Sequence, residues 1–285
     1  MNIYQTLETE MRNGILIVRQ ARESSLNARN AQMYVELMAT LESASHDEEV
    51  LAVLLTGKGR FFCAGMDFAS DPAQAWQILP DDAENVRHVK RSLPLRLADD
   101  VRTWPAVHFI ASFINFEKPL LAAVNGPAIG EGFTSLLHCD IVYAADSAYF
   151  WAPFARAGVA PEFCSSKLMS ARLGATLSNA AMFLGRKITV DEAMQAGFVL
   201  EILPAGPAFE NDVLDLICLG LELMGPPELR GQTLRSYKNL VSSETERTAL
   251  LEISVAEFEL IRVRAESGET AAVQSYYQSL LPAKK

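Results

Sequence analysis

The sequence predicts an α/β protein of stacked β-β-α units, followed by a helical C-terminal region. Apolar runs at residues 14–18, 50–56 and 120–124 have the length of strands, and the second is apolar on both faces, as in a strand inside a parallel sheet. Strand and helix patterns alternate in a repeating order. From residue 208 onward the pattern is helical alone. We therefore expect an α/β core over 1–207 and a helical region over 208–285 that packs on the core or on a neighbouring chain.

Local signals predict where individual helices begin and end. Asn27 is expected to cap a helix over residues 28–43, because apolar residues recur there at helical spacing. Thr189 and Glu192 form a capping-box pattern, and Gly197 supplies the matching stop.

Composition and charge exclude several classes of function. Hydrophobic residues make up 49% of the 285 residues and charged residues 21%, which suits a folded core. The net charge of −10 argues against a nucleic-acid partner, which would need a basic excess. No apolar run approaches the ~18 residues of a membrane span. The N-terminus lacks a signal-peptide pattern and the C-terminus a peroxisomal address, so we expect a soluble, cytoplasmic protein.

The sequence carries no signature of a metal site, a nucleotide site or a serine nucleophile. Its four cysteines and four histidines are scattered, without the spacing of a zinc site or a disulfide framework. It has no GxGxxG, no Walker lysine motif and no GxSxG elbow. We therefore expect no bound metal and no separate cofactor.

The glycine-rich stretch 125–133 gives the strongest chemical signal. It joins the apolar run 120–124 to a second apolar run that is predicted to begin a helix near Gly132. A strand, a glycine turn and a helix start leave backbone N–H groups unpaired, and such groups can stabilise a developing oxyanion. Gly130 and Gly132 allow positive φ and the close approach of a ligand. A plain connection between two elements is the alternative interpretation.

Residues 70–117 interrupt the alternating order with several prolines and are locally basic. The basic residues are Arg87, Lys90, Arg91, Arg96 and Arg102. They indicate either a solvated helix face or a mobile cover that brings cations near a phosphorylated ligand.

Several segments, in order, resemble the crotonase superfamily, the enoyl-CoA hydratase/isomerase family. They are Ser-Leu-Asn-Ala at 25–28, Phe-Cys-Ala-Gly-Met-Asp at 62–67, Lys-Pro-Leu at 118–120 with the glycine turn, Cys-Asp-Ile-Val-Tyr-Ala at 139–144, and Gly-Arg-Lys-Ile at 185–188. The resemblance implies a crotonase-like spiral of ββα units and a C-terminal helical trimerisation region. It also implies a homotrimer or homohexamer and an acyl-CoA thioester substrate, with coenzyme A as part of that substrate.

The resemblance further implies an oxyanion hole made of two backbone N–H groups. Transferred by position, these belong to Met66 and Glu131. They would hold the charge that develops on the thioester oxygen, and the loss of such a donor costs ~100- to 1,000-fold in other enzymes. The matched segments also supply the residues expected to contact the substrate: Leu26, Ala28, Ala64, Gly65, Asp67, Phe68, Gly130 and Pro161.

The carboxylates that are present distinguish between reactions of the family. Hydratases that the chain resembles carry two glutamates, at positions held here by Thr134 and Phe154. Glu162 instead matches the glutamate in the Pro-Glu-x-Cys-Ser-Ser block of the peroxisomal-type Δ3,Δ2-enoyl-CoA isomerases. A single glutamate can remove a proton from C2 of a 3-enoyl thioester and return one to C4. Burial beside Val159 and Phe163 is expected to raise its pKa.

Several alternatives stay open from the sequence. Glu131 is expected to point toward solvent or a subunit contact, because a charged carboxylate in the pocket would oppose an enolate. Glu131 and Glu162 would otherwise act as a carboxylate pair in a hydratase or thioester hydrolase. A non-catalytic acyl-CoA-binding protein is a third possibility. Ser24 replaces a basic residue common in the family, so Arg22, Arg29 or the basic section would meet the CoA phosphates.

Overall fold

The computed structural model describes residues 4–67 and 105–279. Phe68 and the five basic residues of the section 70–117 lie outside the described residues.

Six strands of the described part of the chain form one sheet, in the order β1-β2-β3-β4-β6-β9. Only β1 runs antiparallel to its neighbour, and the other pairings are parallel. The three predicted strands are β2, β3 and β4. The bounds are β1 Leu7–Arg12, β2 Ile15–Gln20, β3 Ala52–Gly57, β4 Leu120–Val124, β6 Ile141–Ala145 and β9 Glu201–Leu203.

A second, three-stranded sheet lies where the chain leaves β4. It contains β5 Ala128–Ile129, β7 Tyr149–Trp151 and β8 Ile188–Thr189, in the order β5-β7-β8. β5 pairs in parallel with β7, and β7 pairs antiparallel with β8. This small sheet holds the glycine turn in place after the end of the main sheet.

Helices cover both faces of the main sheet. Among the described residues they are α1 Ala31–His46, α2 Pro105–Ile114, α3 Glu131–Thr134, α4 Phe154–Ala157, α5 Ser165–Leu173, α6 Ala175–Leu184, α7 Val190–Gln195, α8 Phe209–Glu222, α9 Pro227–Val241, α10 Glu244–Glu266 and α11 Glu269–Ser279. Short 3₁₀ turns occupy Glu23–Ser25 and Ser135–His138.

Alternate residues of the strands enter two separate apolar cores, as expected for a sheet covered on both faces. Val53 and Leu55 of β3 belong to the core that includes α1 and α2. Leu54, between them, belongs to the core formed with Phe209 and Val213 of α8. The predicted α/β class is thereby confirmed. The boundary at residues 207 and 208 stays a prediction.

The predicted cap of the first helix is wrong by three residues. Asn30 caps α1, since its side chain accepts a hydrogen bond of 3.0 Å from the Met33 N–H. Asn27 instead adopts a left-handed conformation with φ of 57°. Its side-chain amide donates to the Lys58 and Phe61 carbonyls, each at 2.8 Å. Asn27 therefore ties the loop before α1 to the loop after β3, a tertiary role that local helix signals do not reveal.

Two other predicted helix starts can be compared with the structure. The capping box of Thr189 and Glu192 is present at the start of α7. The helix predicted near Gly132 begins at Glu131 but makes only one α-helical turn, α3, before the chain continues as a 3₁₀ turn. Any stabilisation of an anion there rests on the first N–H groups of α3 rather than on a long helix.

Lys118, from the Lys-Pro segment that precedes β4, is buried and holds the end of α1. Its ammonium donates to the carbonyls of Ala44 and Asp47, at 2.7 and 2.5 Å. Carbonyls at a helix C-terminus lack intrahelical partners, so a cation at this place satisfies them. Burial lowers the pKa of Lys118 below its ordinary value.

We expect Lys118→Met to lower the free energy of unfolding by about 2–3 kcal/mol, because it leaves buried carbonyls without a charged donor. Urea unfolding at neutral pH measures the change. Lys58→Met is the matched control, since Lys58 forms a surface ion pair with Glu8 and should change stability by less than about 1 kcal/mol. Equal effects of the two substitutions would contradict the role given to Lys118.

Candidate active site

Two glycine turns, one after Cys63 and one after Ala128, pair with each other through their backbones. Cys63 and Ala128 form an isolated parallel bridge, and the Ile129 N–H donates to the Cys63 carbonyl at 2.9 Å. Gly65 has φ of 96°, and a Cβ on it would lie 2.9 Å from the Ile129 carbonyl oxygen. Glycine at this position therefore permits both the conformation and the contact.

The glycines of the second turn have different roles. Gly130 has φ of 53° and caps α3, so it supplies the positive φ that the sequence predicts. Gly132 is not among the glycines with positive φ, and a Cβ on it would lie 2.6 Å from the Cys63 carbonyl oxygen. Gly132 is thus required for the close packing of the two turns rather than for an unusual conformation.

The pairing leaves backbone N–H groups unused on both turns. Within the described residues, neither the Met66 N–H nor the Glu131 N–H donates to an acceptor. On the first turn, the Arg29 backbone N–H donates to the Gly65 carbonyl at 2.8 Å, and the Asp67 N–H donates to the Arg29 carbonyl at 2.9 Å. On the second, the Glu131 N–H belongs to the first residue of α3, where no intrahelical acceptor exists. These are the two donors that the resemblance predicts.

Met66, Glu131 and Glu162 all line one cavity of about 520 Å³. The rest of the wall is mainly apolar, with contributions from the β7–α4 segment, the start of α2 and the helix α10. These further lining residues include Ile129, Pro153, Phe154, Val159, Phe258, Ile261 and Arg262. A cavity of this size and polarity can enclose the acyl part of a ligand beside the two free N–H groups.

Glu162 lies between α4 and α5 and is half-buried. Its carboxyl makes no hydrogen bond or ion pair with the described residues. Burial raises the pKa of Glu162 well above its ordinary value, and the nearby carboxyls of Glu131 and Glu257 raise it further, while Arg29 opposes them. An unpaired carboxyl with a raised pKa is suited to take up and return a proton.

The expected orientation of Glu131 toward solvent or a subunit contact is wrong. The residue is 3% exposed, and its Oε1 accepts a hydrogen bond from the Tyr34 hydroxyl. Its Oε2 has no partner among the described residues. Burial raises the pKa of Glu131 to about 7, although the charge of Arg29 and the Tyr34 hydrogen bond oppose the rise. Local sequence gave no sign of Tyr34, which approaches from α1.

Arg29 is buried beneath the two turns and is 1% exposed. Its Nε donates to the Gln20 side chain at 2.9 Å, and its Nη1 donates to the Glu131 carbonyl at 3.1 Å. The guanidinium also lies 5.6 Å from the centre of the Phe109 ring. The expectation that Arg29 meets the CoA phosphates is therefore wrong. Its charge instead faces the second turn and the Glu131 carboxyl.

The other predicted substrate contacts flank the first turn or the base. The Leu26 carbonyl accepts from the Ala64 N–H at 3.0 Å, and Ala28 accepts from Arg22. Asp67 pairs with Arg22 at 3.0 Å. None of Leu26, Ala28 and Asp67 is among the described residues that line the cavity. The same holds for Pro161, which precedes Glu162 and is half-buried.

The comparison with protein families agrees with this geometry. The family model described as Enoyl-CoA hydratase/isomerase matches residues 10–85 and 98–256. The chain belongs to this family. The predicted family and its crotonase-like fold are therefore confirmed, and the spiral arrangement is shared with solved members. Which member reaction the chain performs does not follow from the family alone.

Relatives with named activities match much of the chain. Human enoyl-CoA delta isomerase 2 is 31% identical over 274 residues, which are 96% of this chain and 63% of that protein. Mouse peroxisomal enoyl-CoA delta isomerase 3 is 33% identical over 201 residues, 70% of this chain and 57% of that protein. The matches thus span less than two thirds of these two relatives. A solved enoyl-CoA hydratase/isomerase from Pseudoalteromonas atlantica T6c is 27% identical, with a TM-score of 0.75 over 99% of this chain and 100% of that one.

Compartment and assembly stay predictions. The mouse relative's name places that protein in the peroxisome, whereas the sequence of this chain led us to expect the cytoplasm. Among the described residues, no helix is long and apolar enough to cross a membrane. The same residues contain no cluster of three or more His, Cys, Asp or Glu side chains that could hold a metal ion.

We expect Glu131→Gln to change how stability depends on pH. A carboxyl whose pKa rises from 4.5 when unfolded to about 7 when folded keeps its proton better in the folded state. The wild type should therefore lose stability relative to Glu131→Gln as the pH rises from about 4.5 to about 7, by an amount on the order of 2–3 kcal/mol. Urea unfolding of both proteins across this range measures the difference. Parallel pH curves would contradict the assignment.

Proposed function

We propose that this protein isomerises 3-enoyl-CoA to trans-2-enoyl-CoA, with Glu162 as the single acid and base. The observation that carries the proposal is the arrangement in one cavity of the Glu162 carboxyl and the N–H groups of Met66 and Glu131, none of which has a partner among the described residues. The positions of the two hydratase glutamates hold Thr134 and Phe154 instead. The names of the human and mouse relatives support the same reaction.

The proposed reaction moves one double bond and needs no oxidant, metal or separate cofactor. The Glu162 carboxylate removes a proton from C2, and the C–H electron pair passes into the thioester to form a dienolate. The Met66 and Glu131 N–H groups donate to the enolate oxygen, which carries the negative charge. The protonated Glu162 then delivers its proton to C4, the C2–C3 double bond forms, and the thioester carbonyl is restored.

Electrostatics around the two donors favour an anion despite the neighbouring carboxyl of Glu131. A charged Glu131 would oppose the dienolate, but its raised pKa favours the neutral form below neutral pH. Burial also raises the pKa of Tyr34 well above its ordinary value, so its hydroxyl remains a donor to Glu131. Arg29 adds a positive charge directly behind the second turn. The donors and these charges act in a largely dry environment, where they are stronger than in water.

Glu162→Gln tests the role of the base. We expect kcat for 3-enoyl-CoA to fall by about 100- to 10,000-fold, the range of general acid–base catalysis, with KM nearly unchanged. The assay follows the 2-enoyl product with a coupled hydratase and dehydrogenase. Glu228→Gln, an exposed carboxyl on α9, is the matched control and should keep wild-type activity. Undiminished product formation by Glu162→Gln would overturn the proposal.

Gly65→Ala tests the pairing of the two turns. Alanine here would have to adopt a φ of 96°, and its Cβ would press on the Ile129 carbonyl. The Met66 N–H should therefore shift. We expect kcat to fall by about 100-fold or more, comparable to the loss of one oxyanion donor. Circular dichroism and urea unfolding check that the variant remains folded. Unchanged kcat in a folded Gly65→Ala would show that the Met66 N–H does not contact the reacting oxygen.

A second candidate reaction is the addition of water by a carboxylate pair. Glu131 and Glu162 line the same cavity, and they are close enough to each other for the Glu131 charge to raise the pKa of Glu162. Mass spectrometry of the products separates the reactions, since hydration adds one water, thioester hydrolysis releases free coenzyme A, and isomerisation leaves the mass unchanged. Tight binding of acyl-CoA without turnover across a panel of chain lengths would instead favour a non-catalytic binding protein.

A further inference from the structure

The turn that carries Glu162 has an unfavourable backbone conformation. The next two residues, Phe163 and Cys164, both have φ of 55°. A left-handed conformation is unfavourable for a residue with a Cβ, and two in succession require support from the surrounding structure. The turn nevertheless determines where the Glu162 carboxyl lies, because it connects this residue directly to the first turn of α5.

Glu257, on α10, supplies that support through both of its carboxyl oxygens. Oε2 accepts from the Cys164 N–H at 2.8 Å, and Oε1 accepts from the Ser166 N–H at 2.9 Å. Glu257 is 6% exposed, so the two hydrogen bonds are shielded from water. Hydrogen bonds to a carboxylate are about twice as strong as those between neutral groups, and two of them fix both position and direction.

Other contacts to the turn are weaker or reach a single residue. The neutral ring of His138 donates from Nε2 to the Phe163 carbonyl at 2.9 Å. The Cys164 thiol donates to the Leu250 carbonyl at 3.1 Å, and the Glu162 N–H donates to the Ser165 hydroxyl at 3.2 Å. Among these contacts, Glu257 alone can carry a full charge and holds two backbone groups at once.

We propose that Glu257 is a positioning residue for Glu162: it holds the strained turn at 163–164 so that the Glu162 carboxyl faces the cavity without a hydrogen-bond partner among the described residues. The role of Glu162 as a base, which this proposal deepens, rests on the proposed function. Glu257 precedes Phe258, which lines the same cavity. The helix α10, from the predicted helical region, thus both closes the cavity and holds the turn that carries the base.

The proposal has a consequence for the pH dependence of Glu162. The charged or titratable groups that act on it are Glu131 from α3, Glu257 from α10 and Arg29 from the loop before α1. Arg262 of α10 also lines the cavity. Because the Glu257 carboxyl raises the pKa of Glu162, its removal should lower that pKa, and the acid limb of the pH–rate profile should move to lower pH.

Glu257→Gln tests the proposal with little change in size. A glutamine can accept through one oxygen only, and its amide group would face the second N–H as another donor. We expect kcat to fall by about 10- to 100-fold, since a displacement of about 1 Å can cost this much, with KM changed by less than about threefold. Glu252→Gln, an exposed residue on the same helix, is the control and should keep wild-type kcat and pH profile.

A second substitution separates positioning from a general loss of structure. Glycine adopts a left-handed conformation without the Cβ penalty, so Cys164→Gly should lessen the need for Glu257. We expect Glu257→Gln/Cys164→Gly to recover kcat by about fivefold or more over Glu257→Gln alone. Wild-type kcat and pH profile in Glu257→Gln would overturn the proposal. Failure of the glycine to restore any activity, in a folded double variant, would also overturn it.

A substrate-free measurement distinguishes this proposal from the proposed function. Carbon-13 NMR of protein with labelled glutamate carboxyls follows the Glu162 titration, which is assigned by its loss in Glu162→Gln. In Glu257→Gln the Glu162 signal should titrate at lower pH than in the wild type. If the wild type has no isomerase activity but this shift occurs, the proposed function fails, while the action of Glu257 on Glu162 stands. An unchanged titration overturns the positioning role whatever the activity.

Discussion

The candidate site depends on the backbone pairing between the turn after Cys63 and the turn after Ala128. The pairing uses the Cys63 carbonyl and the Ile129 N–H, and it leaves the N–H groups of Met66 and Glu131 without an acceptor among the described residues. Side chains at Gly65 or Gly132 would separate the turns by steric contact with the facing carbonyls. The small sheet β5-β7-β8 then fixes the second turn, because the Gly130 N–H donates to the Trp151 carbonyl at 2.8 Å. Two donors held in this way need no reorganisation when charge develops.

Glu131 and Arg29 are best understood together. A buried carboxyl next to an oxyanion site is costly alone, and so is a buried guanidinium. Here each group lowers the free-energy cost of burying the other. Arg29 also joins the two turns, because its backbone N–H donates to the Gly65 carbonyl and its guanidinium donates to the Glu131 carbonyl. Removing Arg29 would take away the positive charge that opposes the rise in the pKa of Glu131. The unusual acidic residue at the second turn is thus accommodated by a cation from a distant part of the sequence.

The sequence predicted the parts of this site that rest on local pattern, and missed those that rest on tertiary contact. The glycine turn, the strands β2, β3 and β4, and the capping box of α7 each carry a signal within about ten residues. The edge strand β1 was missed because its residues are mostly polar and half-exposed. The orientation of Glu131 was wrong because nothing near it in sequence indicates Tyr34 or Arg29. Glu257 was missed for the same reason: it is one carboxylate among many on a charged helix, and only the fold brings it to Cys164.

A catalytic base of this kind faces two opposing requirements. Its carboxyl must be held in a defined place, yet each hydrogen bond donated to it would lower its pKa and weaken it as a base. The structure resolves this by holding the backbone beside Glu162 rather than its carboxyl. Strain at Phe163 and Cys164 directs the side chain into the cavity, and Glu257 and His138 bind the adjacent peptide groups. In the proposed reaction the oxygens of Glu162 are thereby left for the substrate, and the position of α10 becomes part of the chemistry.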